Sequence, residues 1–425
     1  MATDRAIPES TLRRDEIPAA VREAVTRAEV VDLHTHLYDG RFENLILRGI
    51  DALLTYHYLI SEALRASGAP ADDFYAMGLE KQAEFVWDEL FVRRSPVSEA
   101  TRGIITAASS YGVDVRNEGL DGLRAFAAGM SAGEHIDRTF KAARVSHVVM
   151  TNDPFDDDER GVWLETTERD PRFLAGLRID HLIMHLGTSH KKLQEWGYDI
   201  NADFSGRSAG EARRFLADWI EKTDARYAAT SFPPEFTWPD ESVAGRVMRD
   251  AVIPACREAG IPFALMIGVN RRVNPALRKA GDTLGRADVS AVGRLCAEYG
   301  DVKFLCTMLS RENQHELAVT ARKFSNLGVF GCWWFVNTPS MVAEITSERL
   351  ELLGLSFVPQ HSDARVLDQL VYKWAHARKV IGDCLVEKYL DLYDAGWEPA
   401  LDEIIRDVEM LFSGHAKSWL RLDAP

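Results

Sequence analysis

Eight short apolar runs, rich in β-branched residues, recur along the chain at residues 30–36, 147–151, 174–179, 227–232, 262–268, 302–309, 329–335 and 355–360. Amphipathic helical stretches such as 209–222, 240–259 and 289–299 separate most of them. Continuous apolar runs of strand length are what strands buried on both faces look like, and their alternation with helices is the signature of parallel β/α architecture. Eight such units in a chain of 425 residues point to an α/β fold of the (β/α)8 TIM-like barrel type, with a doubly wound open sheet as the alternative. One interval is out of proportion. About residues 38–145 read as a helical insertion after the first strand, with helices expected at 49–66, 71–90, 98–111, 120–129 and 131–143. Residues 191–210 are more polar and read as a loop, and 363–420 read as helical throughout. No repeat, low-complexity tract or linker marks a second unit, so the expectation is one domain spanning 1–425.

Composition narrows the function. At 46% apolar and 27% charged residues the chain can bury a large core. A formal net charge of −15 argues against a phosphate backbone or an anionic membrane as partner, since either needs a basic face. No apolar run is long enough to span a bilayer, and Met1-Ala2-Thr3-Asp4-Arg5-Ala6 lacks a basic segment followed by an apolar one, so a cytoplasmic protein is expected. Five dispersed cysteines, Cys256, Cys296, Cys306, Cys332 and Cys384, suggest buried free thiols rather than a disulfide framework or a metal knuckle.

In barrel enzymes the reacting groups sit at the carboxyl ends of the strands, which turns the residues after each run into a candidate list. The first run ends in His34-Thr35-His36. Alternation along a strand puts the two imidazoles on one face about 7 Å apart, close enough to share a metal. Asp363, after the eighth run, is the natural third ligand, because closure makes the first and eighth strands neighbours; two imidazoles and one carboxylate leave open positions, as catalytic zinc sites do. His361 shares the face of Asp363 and reads as a ligand, a supporting group or a structural histidine. Arginine recurs at this rim as Arg178, Arg271, Arg272, Arg311 and Arg365, a set suited to clamping an anion through bidentate forks. A small acidic substrate is therefore expected despite the acidic protein. Tyr56-His57-Tyr58 falls in a helical stretch where packing explains it, although a phenol or imidazole there could reach over the barrel mouth. Of Trp333 and Trp334, strand alternation allows only one to line a pocket, and Trp334 is the expected one.

Several separated segments, in order, resemble the uronate isomerases of the amidohydrolase superfamily: His34-Thr35-His36-Leu37, Tyr56-His57-Tyr58, Thr151-Asn152-Asp153-Pro154-Phe155-Asp156, Arg271-Arg272-Val273-Asn274-Pro275, Ser310-Arg311-Glu312-Asn313, Cys332-Trp333-Trp334-Phe335 and His361-Ser362-Asp363-Ala364-Arg365. The resemblance runs from about residue 28 to near the end. It implies interconversion of an aldohexuronate and its ketose, D-glucuronate with D-fructuronate or D-galacturonate with D-tagaturonate. It further implies one divalent metal, most commonly Zn2+, on His34, His36 and Asp363; substrate contacts from Arg178 and Arg365; and proton transfer by His57 and Tyr58. The chain departs from the superfamily pattern, in which the fourth strand often carries a lysine and the fifth and sixth histidines: here they read Ala228-Ala229-Thr230-Ser231, Leu265-Met266-Ile267-Gly268, where the family usually has a histidine close to Met266, and Leu305-Cys306-Thr307-Met308, so a second metal is not expected and the chain reads as a divergent branch. The isomerisation needs ring opening and an enediol; Asp363 is assigned the hydroxyl proton, His57 or Tyr58 the carbon-bound proton, and the arginines the anionic charge. Two other readings stay open. The same triad could activate water in a hydrolase acting on a small acidic amide, ester or lactone, or the clamp could serve sugar-acid binding alone. Self-association into a homo-oligomer is compatible with all of them.

Overall fold

The computed structural model describes residues 11–166 and 168–422, so the amino-terminal hexapeptide read above lies outside the described residues. Nine strands are present among the described residues: β1 (Val30–Thr35), β2 (Val145–Asn152), β3 (Phe173–Arg178), β4 (Ala225–Phe232), β5 (Phe263–Ile267), the two-residue β6 (Val269–Asn270) and β7 (Thr283–Leu284), β8 (Phe304–Met308) and β9 (Leu327–Val329). Seven form one parallel sheet in the order β1-β2-β3-β4-β5-β8-β9, while β6 and β7 pair antiparallel in a hairpin of their own. A doubly wound sheet reverses its strand order at a switch point, and this order never reverses, which removes the open-sheet alternative. β1, β5, β8 and β9 are buried along their whole length, which is why they read as unbroken apolar runs.

The seventh and eighth runs need correction. The seventh strand ends at Val329, where the expected run begins, because Gly331 (φ 65°) and Trp334 (φ 45°) turn the backbone out of the extended region. The eighth run is not a strand; it makes one parallel bridge, Phe330 with Val358, and Pro359 has no amide with which to extend the ladder. Its backbone bonds nonetheless reach both ways. Val358 N donates to Val329 O (3.1 Å) and Gly331 N to Val358 O (2.8 Å), while Asp363 N donates to His34 O (3.2 Å) and His36 N to Ala364 O (2.7 Å). The segment that carries Asp363 is thereby pinned alongside β1.

The insertion is helical as expected and has its own apolar core, in which Leu54, Leu59, Phe74, Val86 and Ile104 meet Val366 and Tyr372 from the far end of the chain. Its last three helices start on side-chain caps: Ser98 accepts from Thr101 N, Asp114 accepts from Arg116 N and Asn117 N, and Ser131 and Glu134 form a capping box. The expected helix 49–66 is broken, however: Ile50–Leu54 stops, Tyr56 is extended (φ −71°, ψ 143°), and a new helix, His57–Ser67, begins. The 191–210 loop is likewise shorter than expected, because Leu186–Glu195 is a helix and another starts at Ser208. The carboxyl-terminal helices are Gln369–Asp394, Leu401–Glu409 and His415–Leu420. All five cysteines are buried and free, and among the described residues no helix is long and apolar enough to cross a membrane.

Candidate metal centre and its cavity

A cavity of about 860 Å3 opens at the carboxyl ends of the strands, between them and the helical insertion. His34 from β1, His36 directly after it, Thr151 from β2, Arg178 from β3, Thr230 from β4, Met266 from β5 and Asp363 all line it. At its floor the Nε2 atoms of His34 and His36 each stand 3.4 Å from Asp363 Oδ1, and one ligand atom from each of the three residues lies within 4.8 Å of the others.

Where the protons sit follows from the neighbours. The Thr151 hydroxyl gives its single proton to Thr35 O (2.9 Å), so toward His36 Nδ1 (2.8 Å) it can only accept. The Tyr227 hydroxyl gives its proton to Leu33 O (3.1 Å), and so accepts from His34 Nδ1 (3.2 Å). Both rings therefore carry hydrogen on Nδ1, which leaves Nε2, the atom facing the carboxylate, as the nitrogen able to bind a metal. Burial, reinforced by Arg365, pushes the His36 pKa well below its ordinary value and keeps that ring neutral. Asp363 Oδ1 is buried and receives no hydrogen bond. Three acceptors converging on one point without a hydrogen between them is a stable arrangement only around a cation, so the residues fit a divalent metal.

The floor is held from behind. Asp32 is fully buried on β1 and accepts from Ser362 N (3.1 Å), Trp374 Nε1 (2.7 Å) and His34 N (3.3 Å), tying the Asp363 segment and a carboxyl-terminal helix to the ligand strand. Burial pushes the Asp32 pKa up to about 6, against the pull of those donors. Asp363 itself takes a positive φ of 52°, which turns its carboxylate back toward β1. Two glycines make room. A Cβ at Gly176 would sit 2.7 Å from the Tyr227 ring, and one at Gly331 would sit 1.9 Å from the His361 ring. His361 is completely buried, stands edge-on to His34 (centroids 5.2 Å apart) and is not one of the three grouped ligands.

The break in the first inserted helix decides what faces the cavity above the floor. Tyr56 and His57 line it; Tyr58 lies one layer back, its ring 4.9 Å from Tyr56 and 4.5 Å from His57, with the Lys373 ammonium 5.5 Å from its face. Burial, then Arg365, pushes the His57 pKa down to about 3, and its Nε2 has no hydrogen-bond partner. Burial raises Tyr58 well above the ordinary phenol value. Trp333 and Trp334 both line the cavity, against the expectation of one, because they stand in a turn and not on a strand; the Trp334 ring meets His57 edge-on at 5.4 Å.

The arginines divide. Arg178, Arg271, Arg272 and Arg365 line the cavity. Arg178 is already forked onto Asp180 (2.9 and 3.2 Å), whereas no carboxylate pairs with the guanidinium of Arg365 or Arg272 among the described residues, Arg272 meeting Asp282 only through its backbone N (2.8 Å). Arg311 is misplaced in the sequence reading: the chain turns directly from β8 into a helical turn at Arg311–Asn313, which swings the side chain outward into an exposed pair with Glu344 (2.8 Å). Thr151 was visible only as part of a motif, and Tyr227, Arg278 and Lys279 gave no sequence signal, since what selects them is contact with residues far away in the chain.

No protein-family model matches this chain, and no curated protein does. Solved structures do. A uronate isomerase from Bacillus halodurans is 48% identical, with a TM-score of 0.95 over 97% of this chain and 98% of that one. A uronate isomerase from Thermotoga maritima (14% identity, TM-score 0.77, 97% of this chain and 100% of that one) and a glucuronate isomerase from Caulobacter crescentus (15%, 0.73, 100% and 98%) share the fold.

Proposed function

This chain belongs to the uronate isomerase family, and from that premise we propose that it interconverts an aldohexuronate with its ketose, D-glucuronate with D-fructuronate or D-galacturonate with D-tagaturonate, in a (β/α)8 barrel whose eighth position is filled by residues 355–364. It is an aldose–ketose isomerase. The observation that carries the reading is the convergence of His34 Nε2, His36 Nε2 and Asp363 Oδ1 at the floor of a cavity lined by six arginine and lysine side chains against three carboxylates.

His34, His36 and Asp363 would hold one divalent metal, most simply zinc, which supplies a positive charge against which sugar oxygens can be oriented and polarised. The other steps fall to the chain. Asp363 has a second carboxylate oxygen with which to take the hydroxyl proton as the sugar ring opens. His57, neutral and with Nε2 unpartnered, is equipped to accept the proton from the carbon beside the carbonyl and to deliver it to the carbonyl carbon of the enediol, and Tyr58, packed against its ring, steadies that proton in between. Arg365, Arg272 and Arg178 offset the negative charge of the carboxylate and of the enediolate, each such preorganised charge contributing about 3 kcal/mol to the transition state. Trp333 and Trp334 wall the cavity and limit water around the enediol.

The test is to incubate purified protein, with and without chelator, with glucuronate and galacturonate while ketose formation and product mass are followed. A ketose of unchanged mass, lost on chelation and recovered with metal, is expected. A product heavier by one water, or no product from either uronate, would overturn the reading.

A further inference from the structure

The hairpin inserted between β5 and β8 forms one wall of the cavity mouth, and its tip, Pro275–Gly281, brings Lys279 to the cavity. The tip is fastened to the helical insertion across the opening: the Tyr75 hydroxyl donates to Leu277 O (2.7 Å), and the Arg278 guanidinium stacks 4.1 Å over the Tyr75 ring. Gly281 is required there, because a Cβ would collide with Asn274 O at 1.9 Å. Lys279 is thus placed by a clasp rather than by a partner of its own. No hydrogen bond or ion pair engages its ammonium among the described residues, although the chain is strongly acidic overall and Asp282 stands nearby.

Its surroundings are of its own sign. Arg365 contributes most to lowering the Lys279 pKa, followed by burial, Arg178 and Arg271, with Asp282 opposing. Assembling five guanidiniums and an ammonium around one cavity, with only part of that charge paired, is unfavourable in the empty protein and is relieved when an anion enters. An ordinary surface lysine finds a carboxylate; this one, although exposed, has none and lines the cavity beside the residues already assigned to the substrate.

We infer that Lys279 completes the cationic clamp on the acidic sugar and provides part of the discrimination between a uronate and an uncharged sugar. This rests on the uronate reading above and extends it to a residue outside the recognisable motifs. Lys279 acts on affinity, because the hairpin stands at the mouth, away from the metal ligands.

The measurement is calorimetric titration of the wild type, Lys279→Met and Lys279→Arg with D-glucuronate, with the unreactive acid D-gluconate, and with D-glucitol as uncharged control. Lys279→Met is expected to weaken both acids about tenfold, as loss of a charge-assisted contact should, while Lys279→Arg stays within about threefold of wild type and glucitol is unaffected. Acids bound by Lys279→Met within twofold of wild type, or an equal loss for glucitol, would overturn the inference. Gluconate binding does not depend on turnover, so a wild type that isomerises no uronate would sink the functional reading while leaving the Lys279 result readable. Unchanged circular dichroism excludes a folding defect, to which an exposed side chain on a hairpin tip is not prone.

Discussion

The floor and the mouth of the cavity are built on opposite principles. At the floor the three grouped residues are each held from behind: His34 by Tyr227, His36 by Thr151, and the Asp363 segment by Asp32 and by backbone bonds to β1, at buried or half-buried positions. At the mouth the hairpin has two-residue strands, exposed cations, and Arg272 and Arg278 at positive φ, and one tyrosine clasps its tip. Bond-making needs ligands held to fractions of an ångström by supporting contacts, whereas capturing a charged sugar needs only charge at roughly the right place on an element able to yield. The cations the floor cannot spare are therefore concentrated where the chain is least constrained.

Variants can break that contrast. The largest effect is expected from Asp363→Asn, which keeps the shape and removes the charge: turnover should fall by about 10^3-fold with the circular dichroism spectrum intact. Full activity would remove Asp363 from its role. Tyr227→Phe touches neither metal nor sugar but deprives His34 Nδ1–H of its acceptor, so metal affinity measured by competition with a chelating dye should drop by about 10-fold or more. An unchanged affinity would mean that the floor does not depend on its supporting contacts. Glu159→Gln probes the edge of the floor through pH. Glu159 accepts from the Tyr38 hydroxyl (2.6 Å) and from Asp153 N (3.0 Å), and burial pushes its pKa up to about 7 from an ordinary value of 4.5. The folded protein holds that proton where the unfolded chain has released it, so the stability from this group is complete below about pH 4.5 and declines as pH rises toward 7. Thermal melts should show that the Glu159→Gln variant lacks this decline, and identical pH slopes for the two proteins would contradict it. The smallest effect belongs to the mouth: Tyr75→Phe loosens the clasp while retaining the stacked ring, and the Michaelis constant should rise about threefold at unchanged kcat, the scale of one lost hydrogen bond of modest net strength. A fall in kcat instead would show the mouth to be coupled to the floor.

Much of this architecture could be read from local pattern. Six of the eight runs became strands near their expected limits, and the helical insertion and the two imidazoles on β1 follow from periods of 2 and 3.6 residues that any short window reveals. The pairing of Asp363 with those imidazoles also came through, because chain order around the sheet made the two segments neighbours. Errors arose where a turn overrode the pattern. Val329 ends a strand early because Gly331 turns the backbone, which brings both Trp333 and Trp334 into the cavity; Tyr56 breaks a helix, which exposes His57; and the turn after β8 carries Arg311 away.

The sequence by itself determined the β/α alternation, the His-x-His pair and the aspartate that meets it, since periodicity and residue chemistry are properties of neighbouring positions. Only the tertiary structure decided that Tyr227 and Thr151 set the imidazole protons, that Asp32 holds the Asp363 segment, and that a clasped hairpin brings Lys279 to the cavity. Those facts depend on contacts between residues as much as 330 positions apart, and on glycines such as Gly176 that matter through the space they leave, which no window of sequence displays.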